Sequence, residues 1–411
     1  MTGIDPAPLF TPFRLGGVTL ANRFIMPGMQ RSWCEDGAPL PILGEYYRRR
    51  VEGGVAMVIT ESCAVDHPTA TNVPQFARIN PATLPAWKDC VAEVKSAGGY
   101  MLIQLWHEGA LRKEDAGTGA EAHASTLSPS GLAFPGKENG RAASLAEIDD
   151  LRAAFIRSAL LAQEAGADGV EIHACHGYLL DQFLWPGTNR RDDAYGGPIE
   201  NRARLHAEII AGVRAACGPG FVISIRYSQW KEADYEAKIA ATPDELETML
   251  TLWREAGADI FHASTRRFWE PEWPDRDETL NLAGWSKKVG GLPVITVGSI
   301  GFDIDVMSSL LEDREAESNV ERGMRELLRR FNADEFDLIA IGRGQIADPE
   351  WVNKVRASRF GDVRAFLRSD LGTFDGEGTS LIEDAHKAGQ RVDQGADQRA
   401  DQDAGRDAGD A

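Results

Sequence analysis

Apolar runs of strand length alternate with stretches of helical periodicity along most of the chain. Eight such runs occur, at Phe24–Met29, Ala56–Glu61, Tyr100–Trp106, Val170–His173, Val222–Tyr227, Asp259–Ala263, Pro293–Val297 and Asp337–Ile341. Each is followed by a segment in which apolar residues recur at helical spacing. Eight strand–helix units predict a closed (β/α)8 barrel of the α/β class rather than an open, doubly wound sheet.

The predicted helices lie between and after these strands. The clearest one begins at Ser144-Leu-Ala-Glu147, which is a capping box, and continues over Ala146–Ala165. The others are predicted at Pro41–Glu52, Leu84–Ala97, Glu200–Ala216, Pro243–Ala256, Leu282–Val289, Ile304–Phe331, Pro349–Ser358 and Val363–Arg368. Glycines end several of them before the chain turns back into the next strand.

A minimal barrel needs ~250 residues, so part of this 411-residue chain must lie outside the barrel itself. Gly16-Gly17 predicts an N-terminal hairpin. The longest insertions, Glu108–Ser144 and Arg266–Thr279, follow the third and sixth strands. We expect one barrel domain over residues 1–372. The acidic, low-complexity tail at residues 373–411 has no large apolar residue past Val392 and is expected to be disordered.

Charge and cysteine usage narrow the class of protein. The formal net charge of −19 argues against nucleic acid or an anionic membrane surface as a partner. The five cysteines stand singly, which fits free thiols in a reducing compartment and offers no iron–sulfur or structural zinc site. No apolar run approaches the ~18 residues of a membrane span, and the N-terminus has no signal-peptide pattern. We expect a cytoplasmic protein without membrane association, and a homo-oligomer remains open.

The fourth predicted strand carries a dense group of polar residues. Because side chains alternate along a strand, Glu171 and His173 share one face. His176 and Tyr178 follow in the next loop, so two imidazoles and a phenol are delivered close together. This loop is therefore the first candidate for a reactive site.

Two other strands end in polar side chains as well. Gln104 stands near the end of the third strand and Arg226 near the end of the fifth. Because the carboxyl ends of all barrel strands meet on one face, these groups should converge with His173. A single rim residue can be merely solvated, but three from different strands predict a functional site.

Glycines follow the last two strands. Val297-Gly-Ser-Ile-Gly301 and Ile341-Gly-Arg-Gly344 lie where this kind of barrel commonly binds phosphate. Arg343 would add a forked, charged contact to that phosphate. The run Gly342 to Ala347 also matches a dinucleotide fingerprint, but that fingerprint needs a following βαβ unit, and no further strands are predicted. We therefore favour a barrel phosphate site.

His173, Cys175 and His176 have a spacing that also permits a metal site. A catalytic zinc usually recruits three protein ligands, and no H-E-x-x-H motif or second His/Asp cluster supplies an obvious third one. A metal-dependent barrel hydrolase or lyase using His173 and His176 is thus the alternative, while our own prediction contains no metal.

Several motifs resemble those of the old yellow enzymes, the FMN-dependent NADH:flavin oxidoreductases that include ene-reductases and 12-oxophytodienoate reductases. They follow the family's order over residues 9–357: Leu9-Phe-Thr-Pro-Phe, Leu20-Ala-Asn-Arg23, Gln104-Leu-Trp-His107, Asp168-Gly-Val-Glu-Ile-His173, His176-Gly-Tyr-Leu-Leu-Asp-Gln-Phe-Leu184, Asn189-Arg-Arg-Asp-Asp-Ala-Tyr-Gly-Gly197, Glu200-Asn-Arg202 and Ile341-Gly-Arg343. The paired histidines, the tyrosine and the Asn-Arg-Arg…Tyr-Gly-Gly run are highly specific in combination.

Similarity to this family implies FMN at the mouth of the barrel, with NADH or NADPH as the electron donor. Gln104 would hydrogen-bond the pyrimidine edge of the flavin, and Arg226 would lie beside N1 and C2=O. Gly298, Ser299 and Arg343 would hold the phosphate. The remaining cofactor contacts implied by the resemblance are Pro27, Gly28, Met29, Gln30, Ser62 and Gly342.

The resemblance also implies the substrate, an α,β-unsaturated carbonyl compound whose C=C bond is reduced. His173 and His176 would donate hydrogen bonds to its carbonyl oxygen, and Tyr178 would protonate its α-carbon. The chemistry is consistent with this, since hydride addition to the β-carbon moves charge onto oxygen, and one aimed donor is typically worth ~3–4 kcal/mol there. A phenol with a pKa of about 10 keeps its proton at neutral pH.

The chain departs from the family pattern at several points. Gln30 stands where the family usually has Thr or Cys beside the flavin, and the family's Arg after His-x-Gly is missing, since this chain reads His107-Glu-Gly-Ala110. The cysteine cluster and nucleotide domains of the larger dienoyl-CoA reductases are missing, so electrons should come directly from NAD(P)H. The loop from Arg266 to Trp273 either shapes a bulky-substrate pocket and meets a nicotinamide phosphate, or only packs. A flavin-dependent amine or steroid oxidoreductase, and a barrel that binds flavin without reducing enones, are the remaining alternatives.

Overall fold

The computed structural model describes residues 3–113, 124–232, 234–305 and 316–374. Eight parallel strands close into a barrel: β1 Phe24–Met26, β2 Met57–Ala64, β3 Tyr100–Trp106, β4 Gly169–His176, β5 Val222–Lys231, β6 Ile260–Ser264, β7 Val294–Val297 and β8 Leu338–Ala340. The strands are ordered as in the chain, and β8 pairs with β1 to complete the circle. The predicted (β/α)8 barrel is confirmed, with each strand at its predicted place.

The described helices surround the barrel. They are α1 Pro41–Glu52, α2 Leu84–Ser96, α3 Leu145–Glu164, α4 Leu179–Leu184, α5 Ile199–Arg202, α6 Arg204–Cys217, α7 Pro243–Ala256, α8 Leu282–Gly290, α9 Val320–Asn332, α10 Arg343–Ala347 and α11 Trp351–Arg356. The predicted helix over Glu200–Ala216 is interrupted at Ala203. The predicted helix over Ile304–Phe331 starts only at Val320 in the described residues, and residues 306–315 lie outside them.

The helix predicted at Val363–Arg368 is wrong. The chain has no regular secondary structure from Arg364 to Leu367, between short 3-10 turns at Phe360–Asp362 and Arg368–Gly372. The Arg364 guanidinium donates to both carboxylate oxygens of Asp370, at 2.8 and 2.7 Å, and its backbone N–H donates to Asp348. These side-chain partners replace the hydrogen bonds that a helix would have made.

The N-terminal hairpin is confirmed and closes one end of the barrel. Its strands, Phe13–Leu15 and Val18–Leu20, pair through a turn in which Gly16 has a φ of +54°. Its apolar side chains pack against the first inward-facing residues of the barrel strands, among them Ile25, Leu102 and Val222. Because the starts of the strands are sealed with apolar residues, any site must lie at the opposite, carboxyl end.

The described parts of the insertions and of the C-terminal segment pack against the barrel. The insertion after β3 contains a hairpin of Leu132–Phe134 with Lys137–Glu138, while residues 114–123 lie outside the described part. The tail predicted over residues 373–411 begins with Thr373 and Phe374, which are described, and Phe374 packs against Trp33 and Tyr46. The rest of the tail, residues 375–411, lies outside the described residues, and its disorder stays a prediction. Among the described residues, no helix is long and apolar enough to cross a membrane.

We predict that Ser144→Ala destabilises the protein through α3. Ser144 accepts from the backbone N–H of Glu147, and the Glu147 side chain accepts from the backbone N–H of Ser144, so the predicted capping box is present. Loss of the hydroxyl should lower the free energy of unfolding by about 1 kcal/mol in urea titrations. Ser144→Thr, which keeps the acceptor, is the control; equal losses in both variants would contradict the role of the cap.

Candidate active site

A cavity of about 430 Å³ opens at the carboxyl end of the barrel. All fourteen residues predicted for the site line it: Pro27, Gly28, Met29, Gln30, Ser62, Gln104, His173, His176, Tyr178, Arg226, Gly298, Ser299, Gly342 and Arg343. They come from the ends of seven strands or from the loops that follow them. The predicted convergence of distant residues at one face is therefore present in the structure.

Strand register brings the first polar groups together. In the pairing of β4 with β5, His173 lies opposite Arg226. In the pairing of β3 with β4, Gln104 lies opposite Glu171. Paired residues on parallel strands point to the same side of the sheet. His173 and Arg226 therefore lie side by side at one end of the barrel, with Gln104 and Glu171 one layer deeper.

The loop after β4 folds His176 and Tyr178 back toward His173. His176 has a φ of +64° and Gly177 a φ of +93°, and the backbone N–H of His176 donates to Ser228 Oγ at 3.1 Å. The ring centroids of His173 lie 5.5 Å from those of His176 and 5.3 Å from those of Tyr178. Left-handed backbone at a histidine is uncommon, and here it turns the imidazole into the cavity.

Of the two histidines of this cluster, His173 is buried and His176 is half-buried, and both lie near the cationic Arg226. Burial, and then the charge of Arg226, lowers the pKa of His173 to about 3. The same two causes lower the pKa of His176 well below its ordinary value. At neutral pH each ring is therefore uncharged and carries one N–H donor. Burial raises the pKa of the Tyr178 phenol, which keeps its proton.

Arg226 links three sides of the cavity. Its Nη1 donates to the Gly28 carbonyl oxygen at 3.3 Å and its Nη2 to Ser264 Oγ at 3.2 Å, while its buried Nε meets no acceptor within the described ranges. His176 Nε2 lies 3.0 Å from the same Ser264 oxygen. One guanidinium thus connects the β1 loop and β6 to the histidine cluster.

The loops after β7 and β8 form a second, cationic part of the cavity. Gly298 and Ser299 have φ values of +134° and +53°, and the Arg343 Nη2 donates to Ser299 Oγ at 3.1 Å. The Arg343 guanidinium lies over the Phe302 ring, at 4.5 Å from its centroid, and burial lowers its pKa to about 10, so it stays charged. Its buried Nη1 has no hydrogen-bond partner among the described residues.

Sequence reasoning missed several residues of the cavity wall. Trp106, Trp230 and Ser264 face it, and each lies at or near the end of a strand. The alternation of side chains along these strands already indicates that all three point inward. In the loop after β6, Arg266 lines the cavity, whereas Phe268 is buried in the apolar core. The aromatic part of that loop therefore packs rather than shaping the pocket.

The chain belongs to the NADH:flavin oxidoreductase / NADH oxidase family, whose sequence model matches residues 8–317. It is 33% identical over 376 residues to an NADH oxidase of Thermoanaerobacter brockii, a match that covers 90% of this chain but 54% of that protein. It is 35% identical over 223 residues to 12-oxophytodienoate reductase 7 of Oryza sativa subsp. japonica, covering 52% of this chain and 56% of the relative. The chain thus spans about half the length of these curated relatives.

Solved structures agree with the family assignment. Morphinone reductase in complex with tetrahydroNAD superposes with a TM-score of 0.72 at 25% identity, covering 88% of this chain and 93% of that one. An old yellow enzyme homologue from Zymomonas mobilis has a TM-score of 0.73 at 23% identity, over 91% and 98% of the two chains, which supports the fold. The predicted membership of the old yellow enzyme family is confirmed, with FMN and a nicotinamide dinucleotide as its cofactors.

The residues of the cavity fit FMN. A flavin phosphate is an anion, and Arg343 Nη1 and Arg226 Nε are buried donors without a hydrogen-bond partner in the part of the chain that the structure describes. Gly298 and Gly342 bring backbone to the cavity surface without a side chain between. Buried donors of this kind are normally satisfied, so a polar, anionic occupant accounts for them.

We predict that Gly28→Ala disrupts the floor of the cavity. A Cβ on Gly28 would lie 2.6 Å from both Gln104 Nε2 and the Thr60 carbonyl oxygen, so the β1 loop must shift. The fraction of protein that retains FMN after purification should fall severalfold, measured by absorbance. Gly220→Ala, where a Cβ meets nothing within 4 Å, is the control. Equal FMN retention in the two variants would contradict the close approach of Gly28 to Gln104.

Proposed function

We propose that this protein reduces the C=C bond of α,β-unsaturated carbonyl compounds, with NADH or NADPH as the electron donor. The observation that carries the proposal is the cluster of His173, His176 and Tyr178, in which two neutral imidazoles and a protonated phenol face one cavity beside Arg226. The 12-oxophytodienoate reductase among its relatives supports the same substrate class.

FMN, when bound, supplies hydride transfer between the nicotinamide and the substrate. The chain's residues would hold it at both ends: Arg343 with the backbone of Gly298 and Ser299 at the phosphate, and Gln104 with Arg226 at the pyrimidine. The cationic Arg226 favours the negative charge that reduction places there. Pro27, Gly28, Met29, Gln30, Ser62 and Gly342 would complete the walls around the ring.

His173 and His176 would bind the carbonyl oxygen of the substrate. The Ser264 hydroxyl accepts from Arg226 and lies 3.0 Å from His176 Nε2. In the tautomer in which this hydroxyl donates to Nε2, His176 carries its proton on Nδ1 and would donate from there to the substrate. Two neutral donors fixed before the substrate arrives stabilise the charge that develops on oxygen as the β-carbon is reduced. Each such donor is typically worth ~3–4 kcal/mol.

Tyr178 would deliver the proton to the α-carbon. Its ring is held edge-on against Trp106, at 5.2 Å between centroids, and against His173. Because burial raises its pKa, the phenol is fully protonated at neutral pH and serves as an acid only toward a strongly basic carbon. Phe76, Trp106 and Trp230 add aromatic walls that suit flat, apolar enones.

Two alternatives keep specific support. The nearest ligand atoms of His173, Cys175 and His176 all lie within 4.8 Å of one another, which would suit a metal, although burial raises the pKa of the Cys175 thiol and opposes the thiolate that a metal needs. A relative from Claviceps fusiformis, 31% identical over 322 residues, is named "probable inactive dehydrogenase easA", which keeps open a flavin barrel that does not reduce enones.

Composition of the purified protein separates these alternatives. A yellow protein with stoichiometric FMN that bleaches with NAD(P)H and is reoxidised by an enone supports the proposal. Stoichiometric zinc in a colourless sample would support the metal-dependent hydrolase or lyase. FMN that bleaches but is not reoxidised by any enone of a broad panel would support binding without turnover.

We predict that Tyr178→Phe slows reoxidation of the reduced enzyme by an enone by about 100-fold or more, because the proton donor is lost. Reduction by NAD(P)H should stay within about twofold of wild type, since that step needs no proton from the phenol. Both half-reactions are measured by anaerobic stopped-flow absorbance. The control is Tyr195→Phe, because the phenol of Tyr195 donates to Glu208 and lies away from the cavity. Equal losses in both half-reactions of Tyr178→Phe would remove Tyr178 from the proton-donor role.

The histidine pair predicts the pH dependence of the same step. Because the pKa of His173 is lowered to about 3 and that of His176 lies well below its ordinary value, neither ring titrates near the ordinary histidine pKa. Enone reoxidation should therefore show no break between pH 5 and 8 at the ordinary histidine pKa of about 6.5. A loss of rate with a midpoint near 6.5 would mean that a histidine titrates in the working enzyme, contrary to the proposal.

A further inference from the structure

The layer of the barrel directly beneath the cavity contains a buried carboxylate. The interior of such a barrel is usually filled by branched apolar side chains, yet Glu171 points inward from β4 and is fully buried. Its Oε1 accepts from Gln104 Nε2 at 2.8 Å, and its Oε2 accepts from Ser224 Oγ at 3.0 Å and from His262 Nδ1 at 2.7 Å. A fully buried carboxylate needs such partners, because it would otherwise be strongly destabilising.

This carboxylate fixes the direction of the Gln104 amide. An ionised carboxylate can only accept, so the amide nitrogen, not the oxygen, must face Glu171. The amide oxygen then accepts from Ser62 Oγ at 3.0 Å. Gln104 lines the cavity, and one amide hydrogen and one oxygen lone pair are left for an occupant. Glu171, which lies beneath the cavity, therefore determines on which side of the cavity floor Gln104 presents its donor and on which side its acceptor.

The partner of Glu171 is itself buried and incompletely bonded. His262 is fully buried on β6 and donates through Nδ1, and no described residue hydrogen-bonds its Nε2. Burial lowers the pKa of His262, so the ring is neutral. Burial would raise the pKa of Glu171, but His262, Arg226 and Gln104 outweigh it and lower that pKa to about 2. The pair therefore carries one negative charge.

The negative charge of Glu171 acts on the bound flavin in the opposite sense to the positive charge of Arg226. Glu171 is paired with Ser224 on β5, two residues before Arg226, so the carboxylate lies one layer below the guanidinium. Reduction of FMN places negative charge at the pyrimidine end, the end that Gln104 and Arg226 face. A fixed negative charge beneath it disfavours that change, whereas Arg226 favours it.

We infer that Glu171, held by His262 and Ser224, is a positioning residue that orients the Gln104 amide toward FMN and lowers the reduction potential of the bound flavin. The inference rests on the FMN binding of the family and on Gln104 meeting the flavin pyrimidine. It does not depend on which substrate the enzyme reduces.

The test compares variants that change the charge with variants that keep it. Glu171→Gln removes the charge at nearly constant shape, and His262→Lys neutralises the charge from the partner side. Glu171→Asp and His262→Asn keep the net charge, and Asn retains a donor near the position of Nδ1. The readouts are the midpoint potential of the FMN holoenzyme, by equilibration with a redox dye, and the dissociation constant of FMN.

We expect Glu171→Gln and His262→Lys each to favour the reduced cofactor at least tenfold, which for a two-electron couple is a rise of about 30 mV. Glu171→Asp and His262→Asn should change this preference for the reduced cofactor by no more than about twofold. Glu171→Asp should also weaken FMN binding severalfold, because the shorter side chain no longer reaches Gln104.

Unchanged potentials in both charge-changing variants would overturn the inference, even if FMN binding fell, since a purely structural role affects binding alone. If Glu171→Gln does not fold, His262→Lys decides the question by itself. An enzyme that shows these shifts but reduces no enone would refute the proposed function and leave this inference standing.

Discussion

One buried guanidinium sets the electrostatics of the cavity on which the rest of the site depends. Arg226 donates to the Gly28 carbonyl oxygen and to Ser264, and so connects β5 with the β1 loop and with β6. Its charge contributes to the lowered pKa values of His173 and His176, and to that of the buried Glu171. Together with burial, the same residue thus keeps both imidazoles neutral, and together with His262 and Gln104 it keeps the carboxylate beneath them ionised.

The barrel makes this arrangement possible because register, and not sequence proximity, decides which groups meet. His173 faces Arg226 and Glu171 faces Gln104 through the pairing of β4 with its two neighbours. Residues at the end of a buried strand or just beyond it can then turn into the cavity, as the left-handed backbone of His176 and Ser299 shows. In this fold the packed apolar core of the barrel usually supports the site, and the loops at the carboxyl ends of the strands supply its residues.

Much of this could be predicted from the sequence. The alternation of apolar runs located all eight strands, the capping box located α3, and alternation along β4 put Glu171 and His173 on one face. The partner of Glu171 could not be predicted, since His262 is 91 residues away and meets it only through the closure of the barrel. The helix at Val363–Arg368 was predicted wrongly because the local apolar pattern does not reveal the ion pair of Arg364 with Asp370.

The position of isotope in the product tests the proposed function most directly. Wild-type holoenzyme is supplied with NADH and a simple cyclic enone in deuterated water, and the product is analysed by NMR. Proton delivery from Tyr178, whose hydroxyl exchanges with solvent, predicts a saturated ketone that carries deuterium at the α-carbon and keeps its carbonyl group. An allylic alcohol, formed by reduction of the carbonyl, or no product despite FMN that is reduced by NADH, would contradict the proposal.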